Sequence, residues 1–157
     1  MKMSREDRVL AFELSMIPIM MRSWHLSVKE LATLFKSYDI LDYINVALEM
    51  FNSTGNPGIL EDLADYISIQ GNPRYLDYCY VEHTGNNSPN QLLTVYNISM
   101  YLTKELQNRY KIATPDALLE LMKTETYRQL IDKDSTLYKE KHQDILDMLT
   151  NELRSKH

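Results

Sequence analysis

Cys79, Glu82 and His83 bring a thiol, a carboxylate and an imidazole together within one short stretch, with Cys79 and His83 four residues apart. Helical backbone there would put the thiol and the imidazole on one face. A metal site needs three or four ligands, and no second Cys/His pair exists to complete one. His25 follows Trp24 where a helix should end, so it reads as a packing or capping residue. His142 and His157 read as surface residues. No glycine-rich phosphate loop, nucleophile elbow or paired-histidine zinc motif is present. The sequence therefore predicts no catalytic residue, no cofactor and no metal. The chemistry left open is that of an enzyme with a carboxylate site between the two units, because Asp and Glu are abundant.

Two groups could instead recognise another molecule. Glu61, Asp62 and Asp65 crowd the exposed side of one predicted helix, and Tyr66, Tyr75 and Tyr78 follow, with Tyr80 beyond. Tyrosines anchor interfaces because they bury a rigid ring and keep a polar tip. These six, Glu61, Asp62, Asp65, Tyr66, Tyr75 and Tyr78, are the candidate partner-binding residues. The plainer readings are a solvated acidic helix face and a tyrosine staple that holds the linker across two halves. The stretch 26–45 has the outline of a helix-turn-helix, but its second helix opens with Asp39 and Asp42 and carries Glu49 without Arg or Lys. Phosphates would repel it. Lys123, Arg128 and Lys133 in the later half make a DNA-binding regulator the alternative to a protein-interaction module.

The elements that position these residues are helices. Only four glycines and five prolines punctuate 157 residues, too few turns for a many-stranded sheet. Ser4 and Asp7 have capping spacing before an apolar run through Trp24, and Pro18 within that run should bend or split the helix near 14–18. Ser27 and Glu30 form a capping box. A third helix runs from about Asp39 to Phe51. A fourth starts with Asn56 as cap and Pro57, and ends before Gly71. After a stretch holding Pro73, Tyr75, Tyr78, Tyr80, Gly85 and Pro89, the order of signals returns. Ser88, Pro89 and Gln91 open a long apolar helix, and Thr114 opens a short one as Ser27 does. Leu118, Leu121 and Met122 match Leu31, Leu34 and Phe35, while Ile145, Leu146, Leu149 and Leu153 match Ile59, Leu60, Leu63 and Ile67.

The expected fold is all-α: two diverged copies of a four-helix unit in one compact body of about eight helices. The boundaries are 1–71 for unit one, 72–90 for a linker and 91–157 for unit two. Both long helices are apolar around most of their circumference, which requires cover from each other or from a second copy in a homodimer. Unit one holds 6 Lys and Arg against 10 Asp and Glu, whereas residues 91–157 hold 10 of each.

Leu34, Phe35, Tyr38, then Leu41, Asp42, Tyr43 and Ile44, then Ile59, Leu60, Glu61, Asp62, Asp65, Tyr66, Ile67 and Gly71 give unit one a resemblance. Over about residues 9–71 it resembles a family of short bacterial all-helical domains of unknown function. Met122, Thr124, Tyr127, Leu130, Thr136 and Tyr138 look like a more distant version of the same pattern in unit two. Members of that family are often encoded beside a protein that looks like an ADP-ribosyltransferase, so the resemblance implies the neutralising partner of a two-gene, toxin-like system. It carries over no catalytic residue.

Composition agrees with a protein partner. Hydrophobic residues make up 44% and charged residues 25%, the balance of a chain that buries an interior. A net charge of −5 repels nucleic acid and anionic membranes. The most apolar stretch, Leu14 to Met21, is flanked by Glu13 and Arg22 and falls short of the ~20 apolar residues that span a bilayer. With one cysteine and no leader pattern, the expected location is the cytoplasm.

Overall fold

In the computed structural model of the chain, residues 4–51, 53–81, 89–132 and 134–156 are described. The first helix, α1 (Arg5–Trp24), begins where Ser4 Oγ accepts the Asp7 N–H at 3.1 Å, and Glu6 and Asp7 place negative charge at its positive end. Of the bend or split expected at Pro18, the split does not occur: one helix runs through the proline. A helix-interior proline costs about 3 kcal/mol, but each buried Leu, Ile or Met returns about 1.5–3 kcal/mol. Met16, Ile17, Ile19 and Met20 flank Pro18 and are all buried, so packing outweighs the lost bond.

His25 ends α1 in the left-handed conformation, and the Leu26 N–H reaches back to the Met21 carbonyl at 3.0 Å. Helix α2 (Val28–Ser37) follows at once, fixed by the predicted capping box: the Ser27 N–H donates to Glu30 Oε1 at 2.9 Å and the Glu30 N–H to Ser27 Oγ at 3.1 Å. Helix α3 (Ile40–Phe51) buries Ile40, Leu41, Ile44, Leu48 and Phe51 at helical spacing. Helix α4 (Asn56–Ile69) is capped by Gly55 rather than by Asn56, which is already helical; Gly55 offers no side-chain cap, and Pro57 in the first turn needs none for its missing N–H. Gly71 stops the chain at φ 107°, where a Cβ would be strained.

The first residues of the expected linker, from 72 onward, pack onto unit one. A 3₁₀ turn, Pro73–Leu76, packs on α4 and buries Tyr75, and the Val81 N–H donates to Ser23 Oγ at 2.9 Å. The chain divides into Met1–His83 and Thr84–His157, so unit one extends well beyond residue 71. The physical reason is aromatic: Trp24 offers a face that Tyr75 and Tyr78 cover, and the segment gains more by packing there than by staying solvated.

Unit two contains α5 (Pro89–Tyr110), α6 (Thr114–Met122), α7 (Glu125–Ile131) and α8 (His142–Lys156), with a 3₁₀ turn at Leu137–Lys139. Ser88, expected at the start of α5, lies outside the described residues. Lys111 ends α5 in the left-handed conformation, and the Ile112 N–H reaches the Gln107 carbonyl at 3.3 Å. Thr114 does not cap α6. Ala113 holds that position, and Thr114 is the first helical residue, with its hydroxyl donating to Gln107 Oε1 at 3.2 Å. Counted from the helix starts, Val28 stands opposite Thr114 and Leu31 opposite Ala117, one residue away from the pairing expected from the sequence. Trp24 to Tyr110, Val28 to Thr114 and Asn56 to His142 are then equal separations. Among the described residues there is no β-strand, and no helix is long and apolar enough to cross a membrane.

Helix α7 is short and depends on its cap. Thr124 Oγ1 accepts the Tyr127 N–H at 3.1 Å, and the Glu152 carboxylate of α8 accepts the Glu125 N–H at 2.7 Å, the Thr126 N–H at 2.9 Å and the Thr126 hydroxyl at 2.8 Å. A carboxylate facing a helix N-terminus gains from both bonds and dipole. Glu152→Ala should lower unfolding free energy by roughly 2 kcal/mol in urea titration, whereas exposed Glu140→Ala should change it by no more than about 0.5 kcal/mol. Equal effects would remove the cap from the account of unit two.

Candidate functional site

Tyrosines of α3 and α4 meet beside the carboxylates of α4. Tyr43 sits at the edge of the α3 apolar stripe, one position before buried Ile44, and Tyr66 at the edge of the α4 stripe, one position before buried Ile67. Their rings stack at 4.0 Å with planes 11° apart. The Tyr43 hydroxyl donates to Asp62 Oδ2 at 2.5 Å, and Asp62 stands one turn before Tyr66 on the same face. The Tyr66 hydroxyl donates to the Tyr38 carbonyl at 2.9 Å, and Asn72 Nδ2 donates to the Tyr38 hydroxyl at 3.3 Å. The pair is held from behind as well: Tyr43 meets Phe51 edge-on at 6.2 Å, and Phe51 stacks on Phe12 of α1 at 5.7 Å.

Carboxylates surround this stack. Glu61 and Asp65 are exposed and four residues apart, and Asp62 is half-buried between them. Their field reaches the phenols. Burial first, then the hydrogen bond and charge of Asp62, then Tyr66 and Asp65, push the Tyr43 hydroxyl up to about 12. Burial, with Glu61 and Asp65, also holds the Tyr78 hydroxyl above the usual tyrosine range. Tyr78 thus joins the acidic face while its ring edge meets Trp24 at 6.3 Å.

Of the six candidate residues, Glu61, Asp62, Asp65, Tyr66 and Tyr78 come together. Tyr75 does not present a docking surface. It is 8% exposed, packs against Trp24 at 5.3 Å and carries the Arg74 guanidinium over its ring. Tyr38 and Tyr43 belong to the face and were not singled out in the sequence; the available signal was a tyrosine at the border of each apolar stripe.

A second residue also escaped notice. Glu13 falls in register with Val9, Leu10, Leu14 and Ile17 on the buried side of α1 and is 2% exposed. Burial, and then the nearby charge of Asp42, push its carboxyl up to about 8. The signal was a charged residue inside a helical apolar stripe.

The remaining chemistry does not assemble. Cys79 is exposed, whereas Glu82 and His83 lie outside the described residues, as does His157. Among the described residues, no three His, Cys, Asp or Glu side chains are placed to hold a metal ion. His142 is exposed beside Tyr101. Lys123 pairs with Glu120 at 3.8 Å and Arg128 pairs with Glu125 in consecutive turns, while Lys133 lies outside the described residues. Two of the three basic residues singled out in unit two are therefore paired with neighbouring carboxylates.

An all-α chain of two units, one bearing a tyrosine and carboxylate face, is the class that fold and site define. Comparison with protein-family models, with curated proteins and with solved structures finds no match.

The Tyr43 phenol offers a direct check on the face. Asp62→Asn removes the negative charge that disfavours the phenolate, so the Tyr43 ring resonance should titrate at lower pH than in the wild type, back toward 10.0. Unchanged titration would mean that the Tyr43 hydroxyl does not face Asp62 in solution.

Proposed function

We propose that this protein is a non-enzymatic helical interaction module and that the α3 and α4 face receives a basic segment of a protein partner. One juxtaposition supports the reading: the Tyr43 and Tyr66 stack lies directly beside Asp62, Asp65 and Glu61. Among the described residues, no Lys or Arg forms an ion pair with these three carboxylates. Like charges left together on one helix face oppose folding of the unit alone, and a cationic partner would relieve them. Rigid tyrosines supply contact area at small entropic cost, and a guanidinium can lie over their rings.

On the resemblance of residues 9–71, the partner would be a protein encoded beside this one, with the look of an ADP-ribosyltransferase, that is neutralised by binding in the cytoplasm. The nucleic-acid alternative is the weaker reading, because Lys123 and Arg128 are paired within their own helices.

We further infer that the two units are diverged copies. The equal separations of the α2 and α6 starts, of the α4 and α8 starts and of the ends of the two long helices support this, as do His25 and Lys111, which both turn left-handed at the end of the long helix. An experimental structure in which the two four-helix units follow different paths would overturn it.

Affinity capture from the native host tests the function. The wild type and the variant carrying Glu61→Gln, Asp62→Asn and Asp65→Asn serve as baits at low and raised salt. The wild type should retain one basic protein, the variant about tenfold less or none, and salt should weaken the interaction. Equal retention by both baits, or retention of nothing, would sink the proposal.

A further inference from the structure

Glu13 lies within the buried side of α1, and its Oε2 has no hydrogen-bond partner. The charged group that acts on it is Asp42 of α3, which carries the same sign. Helix α2, also packed on α1 in unit one, keeps Lys29, Glu30 and Lys36 exposed. Buried polar groups are nearly always hydrogen-bonded, so an acid in this position carries a cost.

Unit two indicates what the fold itself requires there. Ser99 stands as far beyond Glu13 as Thr114 beyond Val28, and it too is buried. The Ser99 hydroxyl donates to the Val95 carbonyl at 2.7 Å and is hydrogen-bonded with the buried Tyr127 hydroxyl. By the same spacing, Leu41 occupies the place of Tyr127 in unit one, so Glu13 lacks that hydroxyl partner. A small, satisfied serine fills the position, which means that a carboxyl is not demanded by packing.

The neighbour of Glu13 connects it to the tyrosine face. Phe12 stacks on Phe51, Phe51 meets Tyr43, and Tyr43 stacks on Tyr66, a continuous aromatic path from α1 through α3 to α4. We propose that Glu13 is a protonation switch: as a neutral acid it lets α1 seat on α3 and supports the tyrosine face, and as a carboxylate opposite Asp42 it loosens that seat and the aromatic path with it. The consequence for binding rests on the function proposed above, but the switch itself concerns only unit one's packing.

The direction with pH follows from the two states. An unfolded glutamate gives up its proton near 4.5, whereas the native Glu13 carboxyl keeps it up to about 8. Between those values the native state holds the extra proton, so stability present at low pH is lost as pH rises through the window.

Thermal unfolding and amide exchange of the full chain, followed from about pH 5.5 to about pH 8.5, test the switch without any partner. For the wild type, Tm should fall by several degrees, and α3 amides should open about tenfold more often once intrinsic exchange is corrected. Glu13→Gln, nearly isosteric and unable to ionise, should flatten both trends. Asp42→Asn should end the decline at lower pH, because the like charge is gone. Parallel curves for the wild type and Glu13→Gln would overturn the switch; should Glu13→Gln fail to fold, an Asp42→Asn curve superimposed on the wild type would overturn it equally. Failure of partner capture with the pH trends intact would leave the switch standing and remove only its proposed use.

Discussion

Unit one is governed by the need to keep α1 out of water. Val9, Leu10, Leu14, Met16, Ile17, Ile19, Met20 and Trp24 are all buried, a distribution too wide for a helix with one wet face. That requirement explains several otherwise unrelated features. It carries the helix through Pro18, it draws Tyr75 and Tyr78 back onto Trp24, and it tolerates Glu13 at a place where an acid must give up its charge. The tyrosine face is downstream of the same constraint, since Phe12 of α1 supports Phe51 and, through it, Tyr43.

Much of this was legible from residue type and spacing. Capping signals at Ser4 and at Ser27 with Glu30 placed two helix starts because each depends on side-chain oxygens only three residues from the amides they accept. The starts of α4 and α6 were misplaced by one residue where Gly55 and Ala113 cap without a side chain, leaving Asn56 and Thr114 as attractive but false choices. How far unit one reaches past Gly71 was illegible for a different reason. Pro73, Tyr75 and Tyr78 have no helical period, and only the tertiary position of Trp24 reveals that two of their rings are buried or half-buried.

The face was half visible. Glu61, Asp62, Asp65 and Tyr66 are local in sequence, so their crowding on α4 could be read directly. Tyr43 comes from another helix and had the appearance of an ordinary stripe residue; its stacking on Tyr66 depends on how α3 meets α4, which periodicity does not encode. Tyr75 shows the converse error, a residue chosen for its type that the fold uses as core.

On the duplication proposed above, Tyr66 and Glu152 hold equivalent places on α4 and α8, and both reach the junction between the two preceding helices. One donates a hydrogen bond to the Tyr38 carbonyl, and the other accepts hydrogen bonds from the amides after Thr124. The architecture thus asks for a tether at that corner without fixing its polarity. Freed from a set chemistry at the anchor, the adjoining surface can diverge: unit one displays carboxylates at 61, 62 and 65, while the same places in unit two carry Asp147, Met148 and Asn151. A scaffold with such an indifferent corner can give its two halves separate outward identities while both keep the same internal joint.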